Sequence, residues 1–225
     1  MAEDWLLIET SGRVGQVGLG REGAVVQSRR LDEARRHARD LAAKVAEMLQ
    51  TEGLEPADVA GVMVSIGPGS YTGLRVGIAS AKTFAYATGC PLIAVPTFAA
   101  IAMQAPPDAK MVCVIADGLQ GLVYRQEFET GRAASELRIE RAAETLPFTP
   151  GCVSLTGPGI DVYAGLLPAH ASLVSERDRE PSLIGLFQAG QALLPVTRQE
   201  LFALEPLYLR GSSAEEKAKA NEPRD

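Results

Sequence analysis

Between Tyr71 and Thr88 the sequence YTGLRVGIASAKTFAYAT offers almost no polar face. Its charged residues are Arg75 and Lys82, while Leu74, Val76, Ile78, Ala79, Phe84 and Ala87 spread apolar surface around most of the circumference. Gly73, Gly77, Ala81 and Ala85 stand four apart, a ridge with almost no side chain. Gly89 follows where a C-terminal glycine cap belongs, with Pro91 just beyond. A helix apolar nearly all round has to be covered nearly all round. One face can lie on its own sheet. The other needs a second cover: either an amphipathic helix of the same chain at 38–50, or another protein whose backbone the small residues let come close.

The flanking sequence supplies the sheet. WLLIE reads as a buried strand, TSGR as a turn, VGQVGLG as the returning strand and GAVVQSR as a third, together a meander. From about Asp32 the period becomes helical, with Ala38, Leu41, Ala42, Val45, Met48 and Leu49 at helix spacing and Gly53 ending the run. GVMVSI is short and continuously apolar, the pattern of a central parallel strand. PLIAV is a further strand and PTFAAIAMQ a short helix; APPDAK then marks a boundary.

After that boundary the pattern restarts. LLIETSGRVGQVGL and VCVIADGLQGLVYR share one order of apolar run, acid, small-residue turn and apolar strand, with Glu9 and Asp117 in equivalent places. The echo predicts a duplicated architecture. CVSLTGPG and ASLVS read as later strands, with helices near 160–167 and 182–194, and PLYLR as a last ordered segment. GSSAEEKAKANEPRD, residues 211–225, reads as a polar, disordered tail.

The loop GPGSYTG before the bare helix invites a phosphate-binding reading. A P-loop fails on spacing, because Val76 and Ala81 occupy the glycine positions that would precede Lys82 and Thr83. Two readings stay open. The backbone N–H groups with Ser70 and Thr72 form an anion cradle at a helix N-terminus, or Ser70 or Thr72 caps the helix and the glycines permit tight turns. Catalytic groups are thin nearby: Ser65, Ser70 and Thr72 have no local histidine base, and Glu55 and Asp58 precede the strand.

Composition narrows the classes. A formal charge of -6 and a pI near 5.1 make a poor stand-alone ligand for nucleic acid, whose affinity is dominated by phosphate neutralisation. The apolar run after the acidic start is too short for a signal peptide or membrane span. Cys90, Cys113 and Cys152 are widely spaced and read as small buried hydrophobes in a reducing compartment. His37 and His170 have no second histidine or cysteine at metal-ligand spacing, so histidine-based hydrolysis has little to work with.

SIGPGSYTGLRVGIASAKTFAYATGCPLIAVPTFAAIA resembles the signature of the TsaB (YeaZ) family, bacterial subunits of the machinery that makes threonylcarbamoyladenosine in tRNA. The resemblance extends to LLIETS, to the run from His37 through the glycine loop, to VIADGLQGLVYRQEF and to PLYLR, and is densest over residues 37 to 102. It implies an α/β, duplicated actin-like (ASKHA) fold of two domains, each opening with a β-hairpin: residues 1–104 and 105–210, before the tail. Its first turn, ETSGR, carries Glu9 where that superfamily places Asp, which displaces the carboxylate by about one methylene from where a tight metal site would need it.

The resemblance further implies a cytoplasmic, non-catalytic activator with no metal or cofactor of its own. It would bind a TsaD-type transferase subunit, with a TsaE-type ATPase joining, pair with itself when alone, and meet tRNA only through the complex. The modified adenosine lies next to the anticodon in tRNAs reading codons that begin with A. The contacts fall on the two helices at about 35–50 and 71–88, giving Leu41, Val45, Met48, Gly73, Leu74, Gly77, Ile78, Ala81 and Phe84 as interface candidates. Glu9, Ser11, Asp117, Gly157 and Gly159 mark a vestigial nucleotide cleft. The rivals are an ATP-dependent phosphotransferase working at that cleft and a metallopeptidase-like protein; the missing histidine pair argues against the second.

Overall fold

The computed structural model describes residues 3–31, 37–151 and 153–209; the tail at 211–225 and Cys152 lie outside the described residues. The first half runs β1 (Asp4–Glu9), β2 (Gln16–Arg21), β3 (Ala24–Arg30), α1 (His37–Glu52), β4 (Gly61–Ser65), α2 (Tyr71–Thr88), β5 (Leu92–Val95) and α3 (Thr97–Ala102). The second runs β6 (Met111–Asp117), β7 (Leu122–Glu129), β8 (Arg132–Ala133), β9 (Arg138–Arg141), α4 (Ala142–Thr145), β10 (Val153–Thr156), α5 (Gly159–Val162) and β11 (Ser172–Leu173). Two helices follow, α6 (Leu183–Gly190) and α7 (Arg198–Ala203).

The two sheets repeat one plan. In the first, of order β3-β2-β1-β4-β5, an antiparallel hairpin β1/β2 is flanked by parallel β4 and β5. In the second, of order β11-β10-β6-β7-β8, the hairpin β6/β7 is flanked by parallel β10 and β11, and β9 also pairs with β7. Glu9 ends β1 and Asp117 ends β6. Gly67-Pro68-Gly69 follows β4 just as Gly157-Pro158-Gly159 follows β10. The duplicated α/β architecture therefore extends past the hairpins to the loops. What differs is the helix after each loop: α2 has 18 residues and α5 has 4.

Strand alternation divides the first sheet between two cores. Leu6, Ile8, Val62 and Val64 face α1 and α2, while Leu7 and Met63 face the other way. That other face is closed by Leu183, Leu186 and Phe187 of α6 and Ala100 of α3. The chain thus returns to the first sheet after leaving the second. Val196, Leu201 and Leu204 then pack against the α1/α2 core. The expected C-terminal domain at 105–210 is corrected accordingly: its residues from α6 onward build the N-terminal lobe, because α6 joins α3 in covering that sheet's second apolar face.

Local signals set the helix ends. Ser70 Oγ accepts from Gly73 N at 3.2 Å, and Gly89, at φ +76, donates from its backbone N–H to Ala85 O. The run expected at 160–167 is broken after Val162, where Tyr163 leaves helical geometry, and a 3-10 turn follows at Ala164–Leu166. The helix expected to 194 stops at Gly190, since Leu194 precedes Pro195 and that position disfavours helix.

Candidate functional site

The end of β1 brings together the residues singled out as a vestigial cleft. Glu9 is fully buried, and its Oε1 accepts from Ser11 N at 2.7 Å, Ser11 Oγ at 2.5 Å and Ser65 Oγ at 3.1 Å. Thr10 N donates to the same Ser65 hydroxyl at 3.3 Å. Among the described residues Glu9 Oε2 has no hydrogen-bond partner. Burial is the largest influence on this carboxyl and pushes it above its ordinary value, against the opposing hydrogen bonds from Ser11 and Ser65. The longer side chain that glutamate brings is therefore folded under its own turn as an acid that resists ionisation.

The glycine loop lies on that turn. Ser70 N donates to Ser11 O at 2.8 Å, Gly67 N to Thr97 Oγ1 at 3.1 Å, and Gly73 N to Ser70 Oγ. The N–H groups of Gly67, Ser70 and Gly73 are held by protein acceptors, which favours one of the two readings of GPGSYTG: Ser70 is a cap and the glycines serve close packing. A Cβ on Gly69 would press into Ser11 O, and one on Gly73 would overlap Thr10 O.

The second lobe is closed in a similar way. Asp117 Oδ1 accepts from Leu119 N at 2.8 Å and lies 2.7 Å from the Tyr163 hydroxyl, which also lies 2.6 Å from Leu122 O. Burial first, then the Asp117 carboxylate, push the Tyr163 phenol up to about 12. Gly157, at φ +103, and Gly159 seat the TGPG loop directly on the backbone of Ile115 and Ala116 in β6. Over the first turn, Pro181 packs on Gly12, while Glu180 O accepts from Gln104 Nε2 at 2.8 Å and Ser182 Oγ donates to Gln104 Oε1 at 2.6 Å.

The actin-like fold implies a nucleotide and its metal, and these residues do not fit them. A metal ion needs charged carboxylate oxygen, and Glu9 is buried and shifted toward its neutral form. The amides of Gly67, Ser70 and Gly73 are occupied, and among the described residues no group of three or more His, Cys, Asp or Glu is placed to hold a metal.

The interface candidates need correction. Leu41, Val45 and Met48 of α1 and Gly73, Leu74, Gly77, Ile78 and Ala81 of α2 are buried within the chain itself, and Phe84 packs partly buried against the same core. The small-residue ridge is where α2 rides over the end of β1. A Cβ on Gly77 would overlap Thr10 Oγ1 and stand 3.4 Å from Ile8 Cγ2. Burying Leu74 and Ile78 there contributes about 1.5–3 kcal/mol each. The outward stripe of α2 is instead Thr72, Arg75, Ala79, Thr83, Tyr86 and Ala87, and Ala42, Ala43 and Ala46 are exposed on α1.

Sequence reading also missed the residues that complete these sites. Ser65 and Tyr163 reach Glu9 and Asp117 from 56 and 46 residues away. Ser65, as the polar end of an apolar strand, was the one visible signal.

The family model described as TsaD, tRNA N6-adenosine threonylcarbamoyltransferase, matches residues 31–147. An uncharacterised protein of Mycobacterium tuberculosis is 32% identical over 182 residues, covering 81% of this chain and 79% of that protein. The tRNA threonylcarbamoyladenosine biosynthesis protein TsaB of Escherichia coli is 28% identical and aligns end to end, over 96% of this chain and 99% of its own length. The chain belongs to the TsaB (YeaZ) family. The solved structure of YeaZ from Pseudomonas aeruginosa superposes with a TM-score of 0.77 at 24% identity, covering 92% of this chain and all of that one, so the TsaB fold is shared throughout. Among the described residues no helix is long and apolar enough to cross a membrane.

Proposed function

We propose that this TsaB-family chain is a non-catalytic subunit in the threonylcarbamoylation of tRNA adenosine, binding and activating a TsaD-type transferase subunit in the cytoplasm. A TsaE-type ATPase joins the assembly, tRNA is met through the complex, and the chain pairs with itself when alone. The observation that carries the reading is the state of Glu9. An actin-like ATPase needs a charged acid and free loop amides at this point, and here the acid is sealed beneath Ser11 and Ser65 while the amides bind Ser11, Thr97 and Ser70. A protein that keeps the fold without the site retains its surfaces. The surface that suits a partner is the outer stripe of α2, where Ala79, Thr83 and Ala87 leave a low floor for another helix.

The test is threonylcarbamoyl transfer to tRNA by purified TsaD-type and TsaE-type subunits supplied with the adenylate intermediate, with and without this chain. Transfer that depends on the chain, with none from the chain alone, is the expected result. Equal transfer in its absence, together with ATP consumption by this chain, overturns the reading in favour of a phosphotransferase.

A further inference from the structure

The segment from Val196 to Leu209 crosses the flank of α2 with none of its residues fully buried. Two backbone hydrogen bonds tie it to the first lobe near its ends, Val196 N to Leu92 O at 2.8 Å and Leu207 N to Ile66 O at 2.7 Å. Between them Lys82 Nζ donates to Phe202 O at 2.8 Å and to Leu204 O at 3.1 Å, Val196, Leu201 and Leu204 pack partly buried against the α1/α2 core, and Phe202 meets Tyr86 of α2 edge-on at 5.9 Å. Tyr208 stacks on Tyr71 at 5.0 Å and accepts from Arg75 Nε at 2.9 Å.

Packing along this segment is incomplete. A groove of about 480 Å³ runs between α2 and residues 204–208, and another of about 310 Å³ between the end of α2 and residues 196–201. Ile78 and Ala85 of α2 and Leu92 of β5 line these grooves and are 3%, 3% and 1% exposed with the segment in place. Apolar side chains along the segment stay largely exposed, with Phe202 60%, Leu207 39% and Leu209 38% exposed. Its seat buries little for its length, and few buried contacts mark elements that open before the rest of a fold.

We infer that Val196–Leu209 is a displaceable strap, latched by Lys82, that opens separately from the fold and uncovers an apolar trough along α2 and the start of β5. Resting on the reading that the outer face of α2 meets a TsaD-type subunit, the strap regulates that face: seated, it covers the flank of the docking helix; released, it adds the trough of Ile78, Ala85 and Leu92 to the surface on offer. Lys82 controls the step because its amine bridges two strap carbonyls, and no backbone ladder would replace it.

Amide hydrogen exchange on the full chain, read residue by residue, tests this. The Val196 and Leu207 amides are expected to exchange at least about tenfold faster than the Val62 amide of β4 through an opening that leaves the sheet protected. Lys82→Met, which keeps the stem and removes the ammonium, should speed the strap amides further and leave Val62 unchanged. Strap and sheet amides that exchange together, with the same denaturant dependence, overturn the separate opening, and strap rates indifferent to Lys82→Met overturn the latch. Adding a TsaD-type subunit should slow exchange along α2 and speed it in the strap. Slowing in both shows a strap that stays seated in the complex and refutes its displacement. No change in either refutes the interface reading, while the chain alone still decides the strap.

Discussion

Gly77→Ala asks what the glycine ridge is for. The new Cβ would overlap Thr10 Oγ1 and stand 3.3 Å from Thr10 Cβ, inside a core where Thr10 is 2% exposed. Overpacking of this kind costs about 1–3 kcal/mol, and alanine recovers about 1 kcal/mol of helix propensity over glycine. The net expectation is a loss of up to about 2 kcal/mol, or about 2–4 °C in Tm per kcal/mol for a chain of this size. The conflict is with a side chain, so it is removable. Among the described residues Thr10 Oγ1 has no hydrogen-bond partner, so deleting it breaks no bond with them. Thr10→Ala should therefore restore Gly77→Ala to at least the stability of Thr10→Ala alone, with a favourable coupling of about 1–2 kcal/mol. Thr10→Val keeps the bulk and should not rescue. Gly73→Ala is the control: its Cβ meets the carbonyl of Thr10, which every residue at that position retains, so Thr10→Ala should leave its cost of about 1–3 kcal/mol in place. Urea unfolding of the four single and three double variants supplies all the values. A Gly77→Ala protein of unchanged stability that no longer binds a TsaD-type subunit would refute the internal placement of the ridge.

Two further outcomes are expected. The raised Glu9 pKa means the folded chain holds this proton more tightly than the unfolded one. Its stabilising contribution is therefore full below the ordinary value of 4.5 and is lost as pH rises through the folded value. Glu9→Gln cannot titrate, so its urea stability should fall less between about pH 5 and pH 8 than that of the unaltered chain; equal slopes would mean Glu9 is ionised in the fold. Ala79→Glu places a charge on the exposed stripe of α2 and should change stability by less than about 0.5 kcal/mol. It should nevertheless abolish co-elution with a TsaD-type subunit, and retained co-elution would move the interface to another face.

Local chemistry was legible wherever the cause of a structure lies within a few residues. Gly89 ends α2, the continuous apolar run at 61–65 is a central parallel strand, and the echo of Glu9 and Asp117 gave the duplication, because capping, strand burial and hairpin patterning each act over one element. Periodicity also predicted cover for α2 on nearly every side, whereas the fold leaves the stripe of Thr72, Arg75, Ala79, Thr83, Tyr86 and Ala87 exposed. It could not show which side met which cover, since a glycine ridge gives the same pattern whether a partner's backbone or the chain's own β1 turn fills it. Only the fold placed Thr10 against Gly73 and Gly77, laid Ser65 and Tyr163 on the two acids, and returned α6 and the strap to the first lobe. These are contacts between distant positions, set by how apolar faces find one another in three dimensions, and the spacing of residues along one element carries no record of them.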